Sequence, residues 1–269
     1  MKRKNYIIFL SWFAFVGVSL FVFFPFFWGI RTSLVPRDDF HFIPQKLTLE
    51  HYIALLNRPE FLLYVKNSLL VSMGAILVTL VFALPGGYAL ARFKFPGHQL
   101  GIGLLVLPLL PPIAILVPLL TYFRMLNLND TLLAVIIANV IFNLPFAVWM
   151  LRNFILANPI EIEEAAQLDG CSRFEILYKI AIPMMIPGLI AVSIFIFINA
   201  WNNYLYAFAL ISSQNLRVLP QGILSFLGSW GTYWGGLTAA GVLAIIPPVI
   251  LFLIFQRWFI KGIFTQSVK

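Results

Sequence analysis

The chain has 269 residues, of which 61% are hydrophobic and only 10% are charged, and its formal net charge is +8 at pH 7. Because soluble domains carry about 25% charged residues, this composition excludes a soluble enzyme, a disordered chain and a nucleic-acid-binding protein. The single cysteine, Cys171, excludes a disulfide framework and a multi-thiolate metal site within the chain.

The class that remains is an all-α integral membrane protein. A helix needs about 20 apolar residues to cross the hydrocarbon core, because lipid offers no partner to unpaired backbone groups. Long stretches without Asp, Glu, Lys or Arg predict six transmembrane helices, within residues 6–30, 67–91, 99–123, 131–151, 180–216 and 218–256. The fifth stretch must hold a helix plus a loop, and the sixth ends in a span that begins near residue 236.

The positions of Lys and Arg between the predicted spans set the orientation. With six spans both termini lie on one side of the membrane, and that side receives the larger share of these residues. We therefore expect both termini in the cytoplasm. The first span follows Lys2, Arg3 and Lys4, but it is much longer than a signal core of about 7–15 residues, so we expect it to be retained.

The only sizeable polar region outside the membrane is residues 31–66. Three prolines in it favour a loop, with a short helix at residues 49–56, rather than a domain. We therefore divide the chain into residues 1–66, an N-terminal transmembrane helix with an extracytoplasmic loop, and residues 67–269. The second segment holds five spans and a cytoplasmic C-terminal tail.

The longest cytoplasmic connection, residues 152–183, predicts two short helices. Pro159 can start the first, and acids in its first turn suit the helix dipole. Gly170 tolerates the left-handed turn that ends this helix, and Ser172 with Glu175 forms a capping box for the second. The expected apolar face of the second helix consists of Phe174, Leu177, Tyr178 and Ile182.

This connection has two interpretations. A charged amphipathic loop is usually a solvated helical link between two spans. The same residues also suit a protruding knob that fits a cleft of a partner protein, because Ala165 and Ala166 allow close approach and Glu164 offers a charge to a partner Arg or Lys. Pro183 is expected to begin the fifth span directly after the loop.

The spacing of this loop resembles the EAA loop of bacterial ABC importer permeases. The matching residues are Glu164, Ala165, Ala166, Gly170, Ile180 and Pro183, with Ile182 where the family has Leu. The resemblance covers the chain from about residue 67 to the C-terminus, which corresponds to the permease core. The six spans of the whole chain also agree with it. With the Trp-Asn-Asn-Tyr run at residues 201–204, the chain is similar to the carbohydrate-uptake branch, close to the second permease subunit of maltose-type systems.

The resemblance implies a heterodimer with a second permease subunit in the bacterial plasma (inner) membrane, two ATPase subunits and an extracytoplasmic solute-binding protein. It implies that the two-helix loop seats in a groove of one ATPase, where Glu164 pairs with a basic residue and Gly170 sets the angle. ATP and Mg²⁺ would act on the ATPase subunits, with no cofactor in this chain. The function implied is inward movement of a sugar, oligosaccharide, polyol or glycerol-phosphate-type solute by alternating access.

The content of the predicted spans separates this function from others. Carboxylates and histidines usually bind ions inside a membrane, but these spans exclude Asp and Glu, and His41, His51 and His98 fall in loops. Gly-Lys-Ser and Gly-Lys-Thr are also absent, so we expect no ATPase site of that kind. A membrane-embedded enzyme would need a nucleophile or a metal cluster at membrane depth, where no His, Cys, Asp or Glu accompanies the Ser, Thr and Asn residues, so we expect no catalytic site and no metal site. A gradient-driven secondary carrier remains the alternative, because backbone carbonyls at broken helices can hold Na⁺.

A sugar path should present hydrogen-bonding side chains and aromatic faces rather than charges. The candidates within the spans are Asn139, Asn143, Asn199, Asn202, Asn203 and Tyr206. On the fifth span, Asn199, Asn203 and Tyr206 are expected on one helix face, with Asn202 adjacent. These amides could instead only bond neighbouring helices, and the partner permease could hold most of the solute contacts.

Overall fold

The computed structural model describes residues 2–36, 41, 44, 46–103, 111–228 and 231–264. Within them the regular secondary structure is helical apart from one short antiparallel pair of strands. The helices are α1 (Lys2–Ser33), α2 (Glu50–Leu56), α3 (Pro59–Arg92), α4 (His98–Gly103), α5 (Pro112–Met125), α6 (Leu132–Ala157), α7 (Ile160–Leu168), α8 (Arg173–Ile176), α9 (Ile182–Met184), α10 (Ile186–Trp201), α11 (Leu205–Leu210), α12 (Leu219–Leu224) and α13 (Trp234–Phe264). A π-helical turn (Leu177–Ala181) joins α8 to α9, and a 3-10 turn (Gln214–Leu216) precedes α12. In the strand pair, β1 (Leu227–Gly228) pairs antiparallel with β2 (Gly231–Thr232).

Across the parts of the chain given above, four helices are long and apolar enough to cross a membrane, namely α1, α3, α6 and α13. They correspond to the predicted spans at residues 6–30, 67–91 and 131–151 and to the one near residue 236. The segment from α8 to α9 together with α10 counts as a fifth, although the two parts are bent by 79°. The apolar α5 has 14 residues, and residues 104–110 of the predicted third span lie outside the described residues.

One compact unit comprises Met1–Phe61 and Ile223–Ile246. It contains α1, α2, the strand pair and the first part of α13. The short helix predicted at residues 49–56 is present as α2. None of the most apolar part of α1 is buried, so this helix presents its apolar side chains outward.

A buried histidine organises the packing of this unit. His51 of α2 hydrogen-bonds through its two ring nitrogens to the Tyr233 hydroxyl and to the Val35 carbonyl oxygen. A Cβ at Gly235 would lie only 2.4 Å from His51 Nε2. The start of α13 can therefore approach α2 this closely only because residue 235 is glycine.

The second compact unit comprises Leu62–Gly222 and Pro247–Lys269, and α6 is its central helix. On α3, a Cβ at Gly74 would meet the Ile136 side chain, and one at Gly86 would meet the Val148 side chain. Because residue numbers rise together along both helices, α3 and α6 run in the same direction.

A second helix packed on α6, α10, runs in the opposite direction. A Cβ at Gly188 of α10 would lie 2.5 Å from the Phe154 ring. Further along, the rings of Phe195 and Phe146 lie 4.0 Å apart, so residue numbers fall on α6 as they rise on α10. The two helices are therefore antiparallel, and glycine allows their closest approach.

Two boundaries predicted around the 152–183 connection are wrong. The fourth span continues as α6 to Ala157, because its last turns still bury side chains in the core. Pro183 does not begin the fifth span but lies in the first turn of α9, where a proline is tolerated. The helix of that span, α10, begins at Ile186, after the bend at Met185.

Candidate functional site

The connection between α6 and α10, residues 158–185, is called the α7–α8 loop below, and it has the two-helix form predicted from its sequence. Gly170, just after α7, has a φ of +89°, in the left-handed region that favours glycine. At the start of α8 the Ser172 hydroxyl accepts a hydrogen bond from the Glu175 backbone N at 3.3 Å. The Glu175 carboxylate accepts one from the Ser172 backbone N at 3.0 Å, which completes the predicted capping box.

Neighbouring residues of α7 face different sides of the helix. Glu163 and Ala166 are buried against the rest of the chain, whereas Glu164 and Ala165 are exposed. An α-helix has 3.6 residues per turn, so adjacent positions point in clearly different directions. Of the two alanines expected to allow close approach, only Ala165 lies at the surface, because Ala166 packs inside.

The buried Glu163 carboxylate joins α7 to α3, and its partner Arg92 also bonds to the end of α6. Its Oε1 accepts hydrogen bonds from Arg92 Nε at 3.0 Å and Arg92 Nη2 at 2.8 Å. Its Oε2 accepts one from the Tyr88 hydroxyl at 2.9 Å. Arg92 Nη2 also donates to the carbonyl oxygens of Ile155 and Asn158 at the end of α6, at 3.0 and 3.1 Å.

Neither member of this ion pair was expected to be part of a site. In the sequence, Arg92 is only a charge that follows the second span, and Glu163 is one acid of a helical first turn. One signal was available, since Glu163 and Ala166 are three residues apart and therefore share a helix face that excludes Glu164. The identity of the partner arginine required the packing of α3 on α6.

The outward side of the α7–α8 loop carries large apolar side chains among its exposed acids. Leu168 at the end of α7 is 90% exposed. The other exposed apolar residues are Ile160, Ile162, Phe174 and Tyr178. The Phe174 and Tyr178 rings lie 4.6 Å apart. Large apolar side chains that are exposed together, as Phe174 and Tyr178 are, usually mark an interaction surface.

The apolar face predicted for the second helix is only partly correct. Leu177 is buried, but Phe174 and Tyr178 point outward, and the side that packs contains Ile176 and Ala181. A π-helical turn over Leu177–Ala181 places an extra residue in the helical turn. The α-helical spacing used for the prediction therefore does not hold there.

The last two residues of the motif lie where the loop meets α10. Ile180 is partly buried in the π-helical turn, and Pro183 is exposed in α9. The bend of 79° at Met185 follows immediately. This junction is the covalent connection between the loop and α10.

The polar residues of the fifth span surround a break in the helix. α10 ends at Trp201, and α11 begins at Leu205. The predicted helix face shared by Asn199, Asn203 and Tyr206 is therefore wrong, because no continuous helix carries all three. The break instead gathers them around a cavity of about 330 Å³. The cavity is lined by Pro112, Ile198, Asn199, Asn202, Asn203, Tyr204, Leu205 and Tyr206.

Hydrogen bonds and ring stacking hold this lining in place. Asn203 Oδ1 accepts a hydrogen bond from the Tyr206 backbone N at 3.0 Å, and Asn199 Nδ2 donates to the Phe195 carbonyl oxygen at 3.0 Å. The Tyr206 ring stacks on Phe142 of α6 at 4.8 Å. Amides and a phenol without a charged group suit hydrogen bonding to a neutral, hydroxylated ligand.

The two asparagines of α6 are buried and bond mainly within their own helix. Asn139 Nδ2 donates to the Val135 carbonyl oxygen, and Asn143 Nδ2 donates to the Asn139 carbonyl oxygen. Asn139 Oδ1 is buried without a hydrogen-bond partner, a costly arrangement. Neither residue is among the described residues that line the cavity at the α10–α11 break.

A larger cavity, of about 860 Å³, lies in the unit that contains α1 and α2. Its lining includes Trp28, Tyr233 and Trp234. Tryptophan and tyrosine are enriched where membrane meets water, so this composition is typical of an interfacial region. Over the described ranges, no three His, Cys, Asp or Glu side chains are grouped as a metal site requires.

Known proteins match the chain over most of its length. Residues 83–265 match the family described as binding-protein-dependent transport system inner membrane component. The chain is 34% identical over 264 residues, 94% of each chain, to the inner membrane ABC transporter permease protein YcjP of Escherichia coli. It is 34% identical over 281 residues, 100% of each chain, to the arabinooligosaccharides transport system permease protein AraQ of Halalkalibacterium halodurans. It is 32% identical over 252 residues, 91% of each chain, to the diacetylchitobiose uptake system permease protein DasC of Streptomyces coelicolor.

Solved structures share the fold. A chain in the crystal structure of a bacterial ABC transporter involved in the import of the acidic polysaccharide alginate superimposes with a TM-score of 0.82 at 21% identity, covering 96% of this chain and 98% of that one. A chain of the MetNI methionine ABC transporter gives a TM-score of 0.62 at 20% identity, covering 82% and 99%. The chain therefore belongs to the family of inner membrane components of binding-protein-dependent transport systems, as a multi-pass permease subunit of an ABC importer.

Proposed function

We propose that this chain is one half of a heterodimeric permease that imports a sugar, an oligosaccharide, or a related polyol or glycerol-phosphate-type solute. The names of two relatives, for arabinooligosaccharides and for diacetylchitobiose, support this solute class. The observation that carries the proposal is the uncharged cavity at the α10–α11 break. A hydroxylated solute needs neutral donors, acceptors and aromatic faces, and this lining offers all three.

The proposed topology has six spans and both termini in the cytoplasm of a bacterial cell. The spans are α1, α4 with α5, and α13, together with α3, α6 and α10. In this topology residues 1–66 hold the first span and an extracytoplasmic loop, and residues 67–269 form the permease core. The larger share of Lys and Arg on the side of the termini supports this orientation. The α7–α8 loop then lies in the cytoplasm between the fourth and fifth spans.

In the proposed complex, ATP and Mg²⁺ bind to two partner ATPase subunits, and this chain needs no cofactor of its own. The α7–α8 loop seats in a groove of one ATPase. The exposed Glu164 pairs with a basic residue there, Ala165 allows close approach, and Leu168 loses its large exposed surface. Gly170 sets the angle between the two helices, while the buried Ala166 keeps α7 on its own subunit.

Transport in this proposal is alternating access. Closure of the ATPases draws the loops of the two permease subunits together, and Ile180 and Pro183 pass this movement to α10. The attached spans then tilt apart at the opposite face. An extracytoplasmic solute-binding protein delivers the solute there.

The proposed solute path passes the cavity at the α10–α11 break. Asn199, Asn202, Asn203 and Tyr206 provide its hydrogen-bonding groups. Asn139 and Asn143 are a further candidate part of the path on α6, because the Asn139 side chain keeps a buried oxygen without a partner.

Uptake into proteoliposomes tests the proposal. The chain is reconstituted with its second permease subunit, the ATPases and the binding protein, and labelled maltose-type oligosaccharides, a polyol and glycerol phosphate are compared. We expect accumulation of one of these solutes only when ATP is present on the ATPase side and the binding protein is on the other. Accumulation driven by a sodium or proton gradient, by this chain alone, would establish the secondary carrier instead.

A further inference from the structure

One arginine ties α7 to the ends of two transmembrane helices. Arg92 is the last residue of α3, and its side chain is 7% exposed, while that of Glu163 is 5% exposed. The four hydrogen bonds that Arg92 donates end on Glu163 and on the last carbonyl groups of α6. Buried charges are tolerated only when they are paired and hydrogen-bonded, and both conditions are met here.

The path of the chain does not by itself connect α7 to α3. The helices α4, α5 and α6 lie between them in sequence. Along the chain, α7 is joined to α6 by Asn158 and Pro159, and to α10 through Gly170 and the bend at Met185. The contacts of Glu163 with Arg92 and Tyr88 are what link α7 directly to α3.

A second arginine holds α3 and α6 together at the same end. Arg152 of α6 donates from Nε to the Leu90 carbonyl oxygen of α3 at 3.2 Å. The backbones approach closely there, since a Cβ at Gly87 would lie 3.2 Å from the Arg152 backbone N. The ends of α3 and α6 therefore form one packed corner. α7 is attached to α6 in this corner by the chain itself, and Glu163 attaches it to α3.

We propose that the Arg92–Glu163 ion pair is the joint through which movement of α7 reaches α3, with both residues acting as positioning residues. This inference rests on the proposed docking of the α7–α8 loop on an ATPase. Two adjacent acids then have different tasks, because Glu164 faces the ATPase and Glu163 faces the transmembrane helices. Without the joint, α7 follows the ATPase while α3 stays behind, and hydrolysis of ATP is no longer coupled to transport.

Single substitutions in the complete transporter separate these tasks. Glu163→Gln removes the buried charge, Glu164→Gln removes the outward charge, and Glu161→Gln is the matched control because Glu161 is an exposed acid of the same helix. Co-purification of the ATPases, ATP hydrolysis stimulated by the binding protein, and solute transport are measured for each. We expect Glu163→Gln to keep its ATPases and to hydrolyse ATP, but to transport about fivefold less solute per ATP, the scale of a typical coupling energy.

Reversible cross-linking tests the joint by comparing one variant protein in its linked and unlinked states. Arg92→Cys and Glu163→Cys are combined with Cys171→Ser, which removes the one native cysteine. A bifunctional methanethiosulfonate that spans the two positions forms a disulfide with each cysteine and releases sulfinate, and it should restore most of the transport per ATP. A reductant cleaves both disulfides and should abolish this transport again. Because linked and unlinked samples are the same polypeptide, misfolding cannot explain a difference between them.

Several results would overturn the joint. Transport by Glu163→Gln equal to that of the unsubstituted protein is one, and a cross-linked protein that stays uncoupled is another. Loss of the ATPases from Glu163→Gln to the same degree as from Glu164→Gln would place Glu163 in the docking surface instead. If Glu164→Gln transports normally while Glu163→Gln is uncoupled, the docking role of Glu164 fails and the joint is supported.

Discussion

Asn203 Oδ1 accepts a hydrogen bond from the Tyr206 backbone N at 3.0 Å and so fixes the first turn of α11. The first N–H groups of a helix have no partner within the helix, so a side chain that accepts from one of them stabilises its start. Asn203 and Tyr206 also line the cavity at the α10–α11 break. One contact therefore sets both the start of a helix and the shape of the candidate solute path.

Substitution of Asn203 tests this double role. Asn203→Ala removes the acceptor and should lower stability by about 1 kcal/mol, as the loss of a helix cap does. We expect altered solute transport as well, because Tyr206 is no longer held, while the ATPases still co-purify. Asn203→Ser keeps an acceptor and should retain more stability in thermal unfolding. Loss of the ATPases, or transport equal to that of the unsubstituted protein, would argue against a place in the path.

The turn at Gly170 gives a second prediction. A Cβ there would meet nothing within 4 Å, so substitution tests the backbone angle alone. A left-handed conformation costs residues with a Cβ about 1–2 kcal/mol, and Asn tolerates it better than Ala. We expect Gly170→Ala to reach the membrane but to lose ATP-coupled uptake, and Gly170→Asn to lose less. Equal uptake by all three proteins would contradict a role for the angle.

Asp130 gives a prediction on pH. Its carboxylate accepts hydrogen bonds from the backbone N of Ser212 and of Ser213, each at 2.9 Å, and from the Ser213 hydroxyl. These bonds, the Ser213 hydroxyl first, lower the pKa of Asp130 below its usual value. A carboxyl group with a lowered pKa stabilises the fold above its unfolded pKa of about 3.9, and this contribution is lost as the pH falls through the folded pKa.

We therefore expect Asp130→Asn to unfold at a lower temperature than the unsubstituted protein at pH 7. The difference should shrink as the pH is lowered below about 4, where the unfolded carboxyl becomes protonated. Thermal unfolding of both purified proteins between neutral and acid pH checks this. Curves that stay a constant distance apart over the whole range would show that the charge of Asp130 has no part in stability.

The packing of α10 on α6 gives a last prediction. In Gly188→Ala the new Cβ must displace the Phe154 ring, and overpacking of this kind costs about 1–3 kcal/mol. Gly241→Ala is the matched control, because a Cβ there meets nothing within 4 Å. We expect Gly188→Ala to lower the unfolding temperature. Gly241→Ala should leave the unfolding temperature unchanged or raise it slightly. Phe154→Leu should partly restore Gly188→Ala, since it removes the ring.

Local features of the α7–α8 loop could be predicted from the sequence, and its long-range contact could not. Ser172 and Glu175 are three residues apart, and Gly170 acts through its own backbone, so short-range rules were sufficient for both. The pairing of Arg92 with Glu163 depends on three helices meeting at one corner. No spacing in the sequence encodes such a meeting.

The fifth span shows the opposite case, in which a regular pattern was misleading. The spacing of Asn199, Asn203 and Tyr206 fits a continuous helix, and residues 201–204 contain neither proline nor glycine to signal a break. The helix nevertheless stops at Trp201. Two consecutive asparagines, whose side chains compete for backbone groups, were the available signal, but tertiary packing decides whether such a signal interrupts a helix.

The bend of 79° at Met185 has a mechanical consequence. A pull on α8 acts nearly at right angles to the axis of α10, so it has a long moment arm and produces torque. A straight connection would have delivered the same pull along the axis, and the helix would have slid lengthwise. With this geometry a short displacement of α8 is converted into rotation of α10.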